Sequence, residues 1–184
     1  MAQIKEDIKC PSCNNKMRVK RKLILSDEDL PNLVNKSIFI NKCNKCNKQV
    51  LVEYPVEFEN DNFSIYYDVK EIKHKYKNKI CRVVYTIDDL KEKVMILNDK
   101  LNDIVIEYIK HYIISSLDNK NDLDELRYNG IQDKTITFTV LPTNDIVGIP
   151  LNIYDNVITH SKIKNKKKYL LIDEQTYKDY FKLK

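Results

Sequence analysis

The chain has 184 residues, 42% hydrophobic and 32% charged, with a formal net charge of +5 and a mean hydropathy of −0.51. This length suits one domain or two small ones, and the composition is that of an ordinary globular protein. No apolar run approaches a membrane span, so a helical transmembrane protein is excluded. The first residues, Met1 to Asp7, lack the basic and apolar regions of a signal peptide, so cytoplasmic residence is expected. Thiols stay reduced there, and paired cysteines favour a metal over a disulfide.

Cys10-Pro11-Ser12-Cys13 is the first element with clear chemistry. Two intervening residues let both thiolates of a tight turn point at one ion, about 2.3 Å from each sulfur. After it, Met17 and Val19 alternate with Lys16, Arg18 and Lys20, as in a half-exposed strand with a basic outer face. Arg21 and Lys22 extend the basic run. Ser26 opens an acidic stretch, and Pro31 suits the first turn of a short helix to Asn35. Ser37 to Ile40 reads as a strand leading into Cys43-Asn44-Lys45-Cys46, and Gln49 to Tyr54 as the returning strand, stopped by Pro55. These strands are expected to form one small sheet carrying a metal at one end.

The second cysteine pair completes a set of four thiolates, enough to close a tetrahedral site for Zn2+, although iron can occupy the same ligands. The metal ligands are therefore Cys10, Cys13, Cys43 and Cys46, with 29 residues between the two pairs. Asn14 and Asn47 follow the second cysteine of each pair, where the turn needs a residue tolerant of positive φ. A redox Cys-Pro-x-Cys motif would follow a strand and open a helix, whereas the residues after Cys13 alternate like a strand. A zinc ion on four thiolates lowers the formal charge to about +3, which weakens any case for nucleic acid from net charge alone.

Ile8-Lys9-Cys10-Pro11-Ser12-Cys13, Lys42-Cys43-Asn44-Lys45-Cys46 and Val52-Glu53-Tyr54-Pro55 together resemble the CpXC family, a zinc-ribbon-like group of bacterial and archaeal proteins. The likeness continues through the strand near Phe63–Val69, Arg82-Val83-Val84 and a long helix near Asp88–Tyr112, about the first two thirds of the chain. Asn14 and Asn47 stand where the family usually has glycine. The resemblance implies a zinc site and implies no activity.

Further along, Phe63 to Val69 reads as a strand, Lys70 to Lys79 as a polar loop, and Ile80 to Tyr85 as a strand holding Cys81 as a small core residue. Thr86 with Asp89 resembles a capping box. Leu90, Val94, Leu97, Leu101, Ile104 and Tyr108 then step by four and three along one long helix, widening to Val105, Ile109, Tyr112 and Ile113. That stripe fits a core face or, alternatively, a coiled-coil-like dimer seam. Asp118 to Asp124 is an acidic connection without the pattern of a calcium loop. Asn129-Gly130 reads as a turn, Thr135 to Val140 and Ile146 to Ile149 as strands, and Pro150 as the start of a helix facing inward with Leu151, Tyr154, Val157 and Ile158. Lys162 to Lys168 is a basic connection, Tyr169 to Ile172 a strand, and Asp173 caps a last helix with Tyr177, Tyr180 and Phe181. The expected organisation is α+β: a zinc-ribbon-like domain over residues 1–60 and an α+β domain over residues 61–184.

Enzyme motifs are missing from the sequence. Gly130 and Gly148 are its only glycines, so neither a phosphate-binding loop nor a dinucleotide fingerprint can be written. His74, His111 and His160 are dispersed, and His111 suits packing at the edge of the helix stripe. Two functions stand at this stage. One is a zinc-organised module that binds a protein partner or itself. The other is a nucleic-acid-binding protein using Arg18, Lys20, Arg21 and Lys22, with the run from Lys162 to Lys168. A hydrolase or transferase site in the C-terminal region is a weaker third.

Overall fold

The computed structural model describes residues 3–68, 78–116, 125–161 and 169–170. The loop expected at Lys70 to Lys79 falls almost wholly outside them. The acidic connection at Asp118 to Asp124, the basic run from Lys162 to Lys168 and the helix after Asp173 lie entirely outside them. The architecture is α+β, and the chain divides into two compact units, residues 1–91 and 92–184. Among the described residues no helix is long and apolar enough to cross a membrane.

The first unit opens with β1 (Gln3–Lys9) paired antiparallel to β2 (Lys16–Lys22), with Ile8 opposite Met17. Met17 and Val19 are buried while Lys16, Arg18 and Lys20 face out, as their alternation predicts. β3 (Ile24–Leu25) follows, then a 3-10 turn in which Ser26 and Asp29 form a capping box, and α1 (Leu30–Val34) with Pro31 in its first turn. The strand expected from Ser37 to Ile40 is instead a 3-10 turn over Ser37–Phe39. Lys36 is left-handed with φ of 60°, the Ser37 N–H donates to Asn35 Oδ1 at 2.9 Å, and the Ser37 hydroxyl donates to Asn32 Oδ1 at 3.1 Å. These local side-chain bonds outcompete the strand preference of Ile38-Phe39. A second ribbon, β4 (Ile40–Lys42) with β5 (Gln49–Leu51), is a two-stranded sheet distinct from β1–β2, so the region expected to carry the metal is two hairpins rather than one sheet.

Past Pro55 the chain resumes as β6 (Val56–Glu59), a strand hidden in the sequence by the flanking proline. It lies between β3, parallel to it, and β7 (Phe63–Tyr67), antiparallel to it; β8 (Ile80–Val84) runs parallel to β7. All five residues of β7 are buried, as suits a central strand covered on both faces. Phe58 stacks on Phe63 at 5.7 Å between ring centroids, and Cys81 is fully buried.

The long helix expected from Asp88 to Tyr112 is two helices, α2 (Ile87–Asn98) and α3 (Asp103–Ser116). The Thr86 hydroxyl accepts the Asp89 N–H at 3.0 Å, as its capping role predicts. Lys100 has φ of 60°, its N–H donates to Leu97 O at 3.1 Å, and the Leu101 N–H donates to Ile96 O at 3.1 Å. That is a Schellman stop. Asn102 then caps α3, its Oδ1 accepting the N–H groups of Ile104 and Val105 at 3.0 and 3.4 Å. A continuous dimer seam from Leu90 to Tyr108 is therefore ruled out, and Tyr112, expected on the buried face, is 65% exposed.

In the second unit Ile96, Val105, Ile109 and Ile113 pack with Leu126, Tyr128, Ile136, Phe138 and Tyr154. The sheet is β9 (Glu125–Gln132), β10 (Thr135–Leu141) and β11 (Asp145–Pro150), with β10 central, and α4 (Leu151–Ser161) follows. Asn129-Gly130 lies within β9 and not at a turn. The pairing shifts there, with Gly130 opposite Thr137 and Tyr128 opposite Phe138, so Asn129 is a bulge. The turn is at Asp133 and Lys134, both with positive φ, as a two-residue hairpin of the right twist requires.

Candidate metal centre

Each cysteine pair sits on a turn that begins where a ribbon strand ends. In the first, the Asn14 N–H donates to Cys10 O at 2.8 Å and the Cys10 N–H to Asn15 O at 2.9 Å. In the second, the Asn47 N–H donates to Cys43 O at 3.0 Å and the Cys43 N–H to Lys48 O at 2.9 Å. Asn14 and Asn47 have φ of 55° and 59°, the left-handed conformation that their side chains tolerate. The two turns are therefore one device used twice. Asn15 Nδ2 donates to Asn44 Oδ1 at 2.7 Å, tying turn to turn.

The four sulfurs all lie within 4.8 Å of one another, and Cys10 to Cys46 and Cys13 to Cys43 are each 3.7 Å apart. An ion about 2.3 Å from four tetrahedral sulfurs sets them about 3.8 Å apart, so the spacing fits such an ion. Cys10 and Cys43 are fully buried, Cys13 and Cys46 partly so. Met17, Val19, Val50 and Val52 pack against them, one inward row from each ribbon.

The electrostatics favour a cation here. The N–H groups of Cys46 and Lys45 hold the Cys43 thiol down at about 6, against the effect of burial. For Cys10 burial opposes ionisation, but the N–H groups of Ser12 and Cys13 outweigh it and lower its pKa. For Cys13 the Asn15 N–H favours the thiolate, yet burial and the neighbouring sulfurs of Cys46, Cys43 and Cys10 push it up to about 11. The backbone thus favours the thiolates of Cys10 and Cys43, while burial and hydrogen bonding to the other sulfurs favour the protonated thiol of Cys13. The four residues could hold a metal ion.

The basic residues picked out in the sequence do not form one group. Arg18 and Lys20 share the outer face of β2. Arg21 turns to the other face, where it pairs with Glu6 and lies 5.5 Å from the Tyr54 ring centre. Lys22 reaches the buried Asp29 at 2.5 Å. Sequence reading also missed β1, because Gln3 to Lys9 is too polar to alternate visibly; its register against β2 is what places Lys5 and Lys9 beside Arg18 and Lys20.

A model of the CpXC protein family matches residues 8–110, more than half of the chain and both cysteine turns. No curated protein and no solved structure matches it.

Proposed function

The chain belongs to the CpXC protein family, and on that premise we propose that Cys10, Cys13, Cys43 and Cys46 hold one zinc ion in a closed structural site, organising a module that binds a protein partner or a second copy of itself. The observation that carries this reading is the 3.7 Å spacing of sulfurs across the two turns, the edge length of a zinc tetrathiolate. Four protein ligands leave no position for water, so the metal's work is structural. Zinc at such a site contributes on the order of 10–16 kcal/mol of apparent binding energy, and the two short ribbons, residues 3–22 and 40–51, depend on it for their order. Five free cysteines suit a reducing cytoplasm.

Support for an interaction role comes from the second ribbon. Ile40 and Leu51 stand directly opposite each other and are 37% and 52% exposed, while Val50 points inward. An apolar cross-strand pair facing water on a metal-fixed hairpin is a surface suited to contact.

Metal analysis of protein purified without added metal tests the site: one zinc per chain is expected, and less than half of that after Cys10→Ser or Cys46→Ser. A colourless, metal-free and fully folded chain would sink the reading; a coloured one would replace zinc with iron. Sedimentation of the native chain against Ile40→Ser/Leu51→Ser tests self-association. A concentration-dependent dimer that the double variant loses is expected, and a monomer at all concentrations would remove that half of the proposal.

The second reading is nucleic-acid binding. The observation favouring it is the exposed basic side of the first ribbon, on which Arg18 and Lys20 stand.

A further inference from the structure

We propose that the outer face of the β1–β2 ribbon docks on duplex DNA through the phosphates, without reading its sequence. This rests on the nucleic-acid reading and names its partner. The antiparallel register sets Lys5 opposite Lys20, Asp7 opposite Arg18 and Lys9 opposite Lys16, so these six side chains share one face. Five are cations and all six are exposed, Lys16 and Arg18 by 75% and 70%. The one carboxylate, Asp7, reaches both Lys16 at 2.9 Å and Arg18 at 3.2 Å. Among the described residues Lys5, Lys9 and Lys20 have no ion-pair partner.

Like charges placed directly opposite weaken a β-ladder, and this ribbon carries two such pairs, Lys5 with Lys20 and Lys9 with Lys16. The arrangement contrasts with the other face of the ribbon, where Arg21 is matched by Glu6. It also contrasts with the whole chain, whose net charge is only +5. A solvated face needs no such concentration of one sign; a polyanion does.

The shape selects the polyanion. A two-stranded ribbon fits the major groove of B-form DNA, about 12 Å wide, whereas the major groove of duplex RNA is too narrow for it. The face has no aromatic side chain on which unpaired bases would stack, which disfavours single strands, and no apolar side chain to enter a lipid surface. Four of the five cations are lysines, which meet phosphates as point charges, and phosphate contacts carry no sequence information directly.

The zinc-loaded full chain is titrated against fluorescent 20-base-pair DNAs of two unrelated sequences between about 50 and 200 mM salt, with bound zinc measured in each sample. Three to five phosphate contacts predict a slope of log affinity on log salt of about −2.7 to −4.5, a loss of about 40- to 500-fold over that range. Affinity should be equal for the two sequences. Lys5→Gln/Lys9→Gln/Lys20→Gln should flatten the slope by about 3. The charge-matched Lys36→Gln/Lys100→Gln/Lys134→Gln should leave the slope unchanged. No binding at the lowest salt, a salt-independent affinity, or equal slopes for the two triple variants would overturn the proposal. So would equal binding to double-stranded RNA, to single-stranded DNA or to vesicles rich in phosphatidylserine. DNA binding of the expected slope by a zinc-free chain would uphold it and overturn the metal reading; full zinc without DNA binding would do the reverse.

Discussion

Asn14 and Asn47 carry the two cysteine turns, and each does so at a φ near 55–59° that costs most side chains about 1–2 kcal/mol. Asn14→Val should therefore raise the chelator sensitivity of the metal about tenfold, whereas Asn14→Gly should leave it near that of the native chain. Competition with a chromophoric chelator measures both; equal sensitivity of the two variants would mean that the left-handed turn does not position Cys10 and Cys13. Arg21 teaches a different lesson at this scale. In sequence it continues a basic run, but strand parity turns it to the face opposite Arg18 and Lys20, against Glu6 and the Tyr54 ring. A charge run on a strand is divided between two faces, and only its alternate members act together.

Between α2 and α3 the apolar stripe runs on in the sequence while the backbone stops. Leu101 belongs to the stripe and also closes the Schellman stop, and Asn102 opens the next helix. The stop and start were written in Asn98-Asp99-Lys100-Leu101-Asn102-Asp103, but lysine at the left-handed position, in place of glycine, concealed them. Lys100→Gly should stabilise the second unit by about 1 kcal/mol, because glycine adopts that conformation freely. Asn102→Ala should destabilise it by about 1–2 kcal/mol through loss of the cap. The Asn102 N–H donates to Tyr154 Oη at 2.7 Å, so the cap is also fixed by the start of α4. Urea unfolding of both variants checks the pair; a destabilised Lys100→Gly would mean that the two helices are not separated by a left-handed stop.

The whole molecule joins two kinds of stabilisation. Residues 1–91 combine the two cysteine-bearing ribbons with four strands of a sheet, β3, β6, β7 and β8, that have their own aromatic packing. Residues 92–184 have an apolar core and no cysteine. Chelation should abolish the amide protection of β1, β2, β4 and β5 while β10 and α3 keep theirs, as hydrogen exchange would reveal; uniform loss would mean that one cooperative unit spans the chain. The second unit also carries a buried ion network. Lys110 lies 3.1 Å from both Glu92 and Glu107, and Lys93 lies 2.6 Å from Glu107. For Glu107 burial opposes ionisation, but Lys93 and Lys110 outweigh it and lower its pKa to about 2. The unfolded chain then binds this proton more readily, so the stabilisation is present above about pH 4.5 and is lost as the pH falls from there toward 2. Glu107→Gln leaves the buried Lys93 ammonium without its carboxylate and Lys110 with Glu92 alone, and should cost about 3–5 kcal/mol at pH 7. Its unfolding free energy should vary less with pH between 2 and 4.5 than that of the native chain.

Sequence alone determined the four cysteines that could hold a metal ion, the two matched turns, the cap at Thr86, the inward row of β10 and the inward face of α4. Each rests on near neighbours whose spacing is fixed by backbone geometry: two residues across a thiolate turn, two along a strand, three or four along a helix. The tertiary structure decided what depends on distant partners. The register of β1 against β2 assembled the basic face, and local bonds around Asn35 and Ser37 separated the two ribbons. Packing drew the carboxylates of Glu92 and Glu107 onto the ammonium groups of Lys93 and Lys110. A polar strand such as Gln3–Lys9 has no periodicity of its own and becomes a strand only because β2 supplies its hydrogen bonds. A buried charge is likewise stable only beside the opposite charge that the fold brings to it.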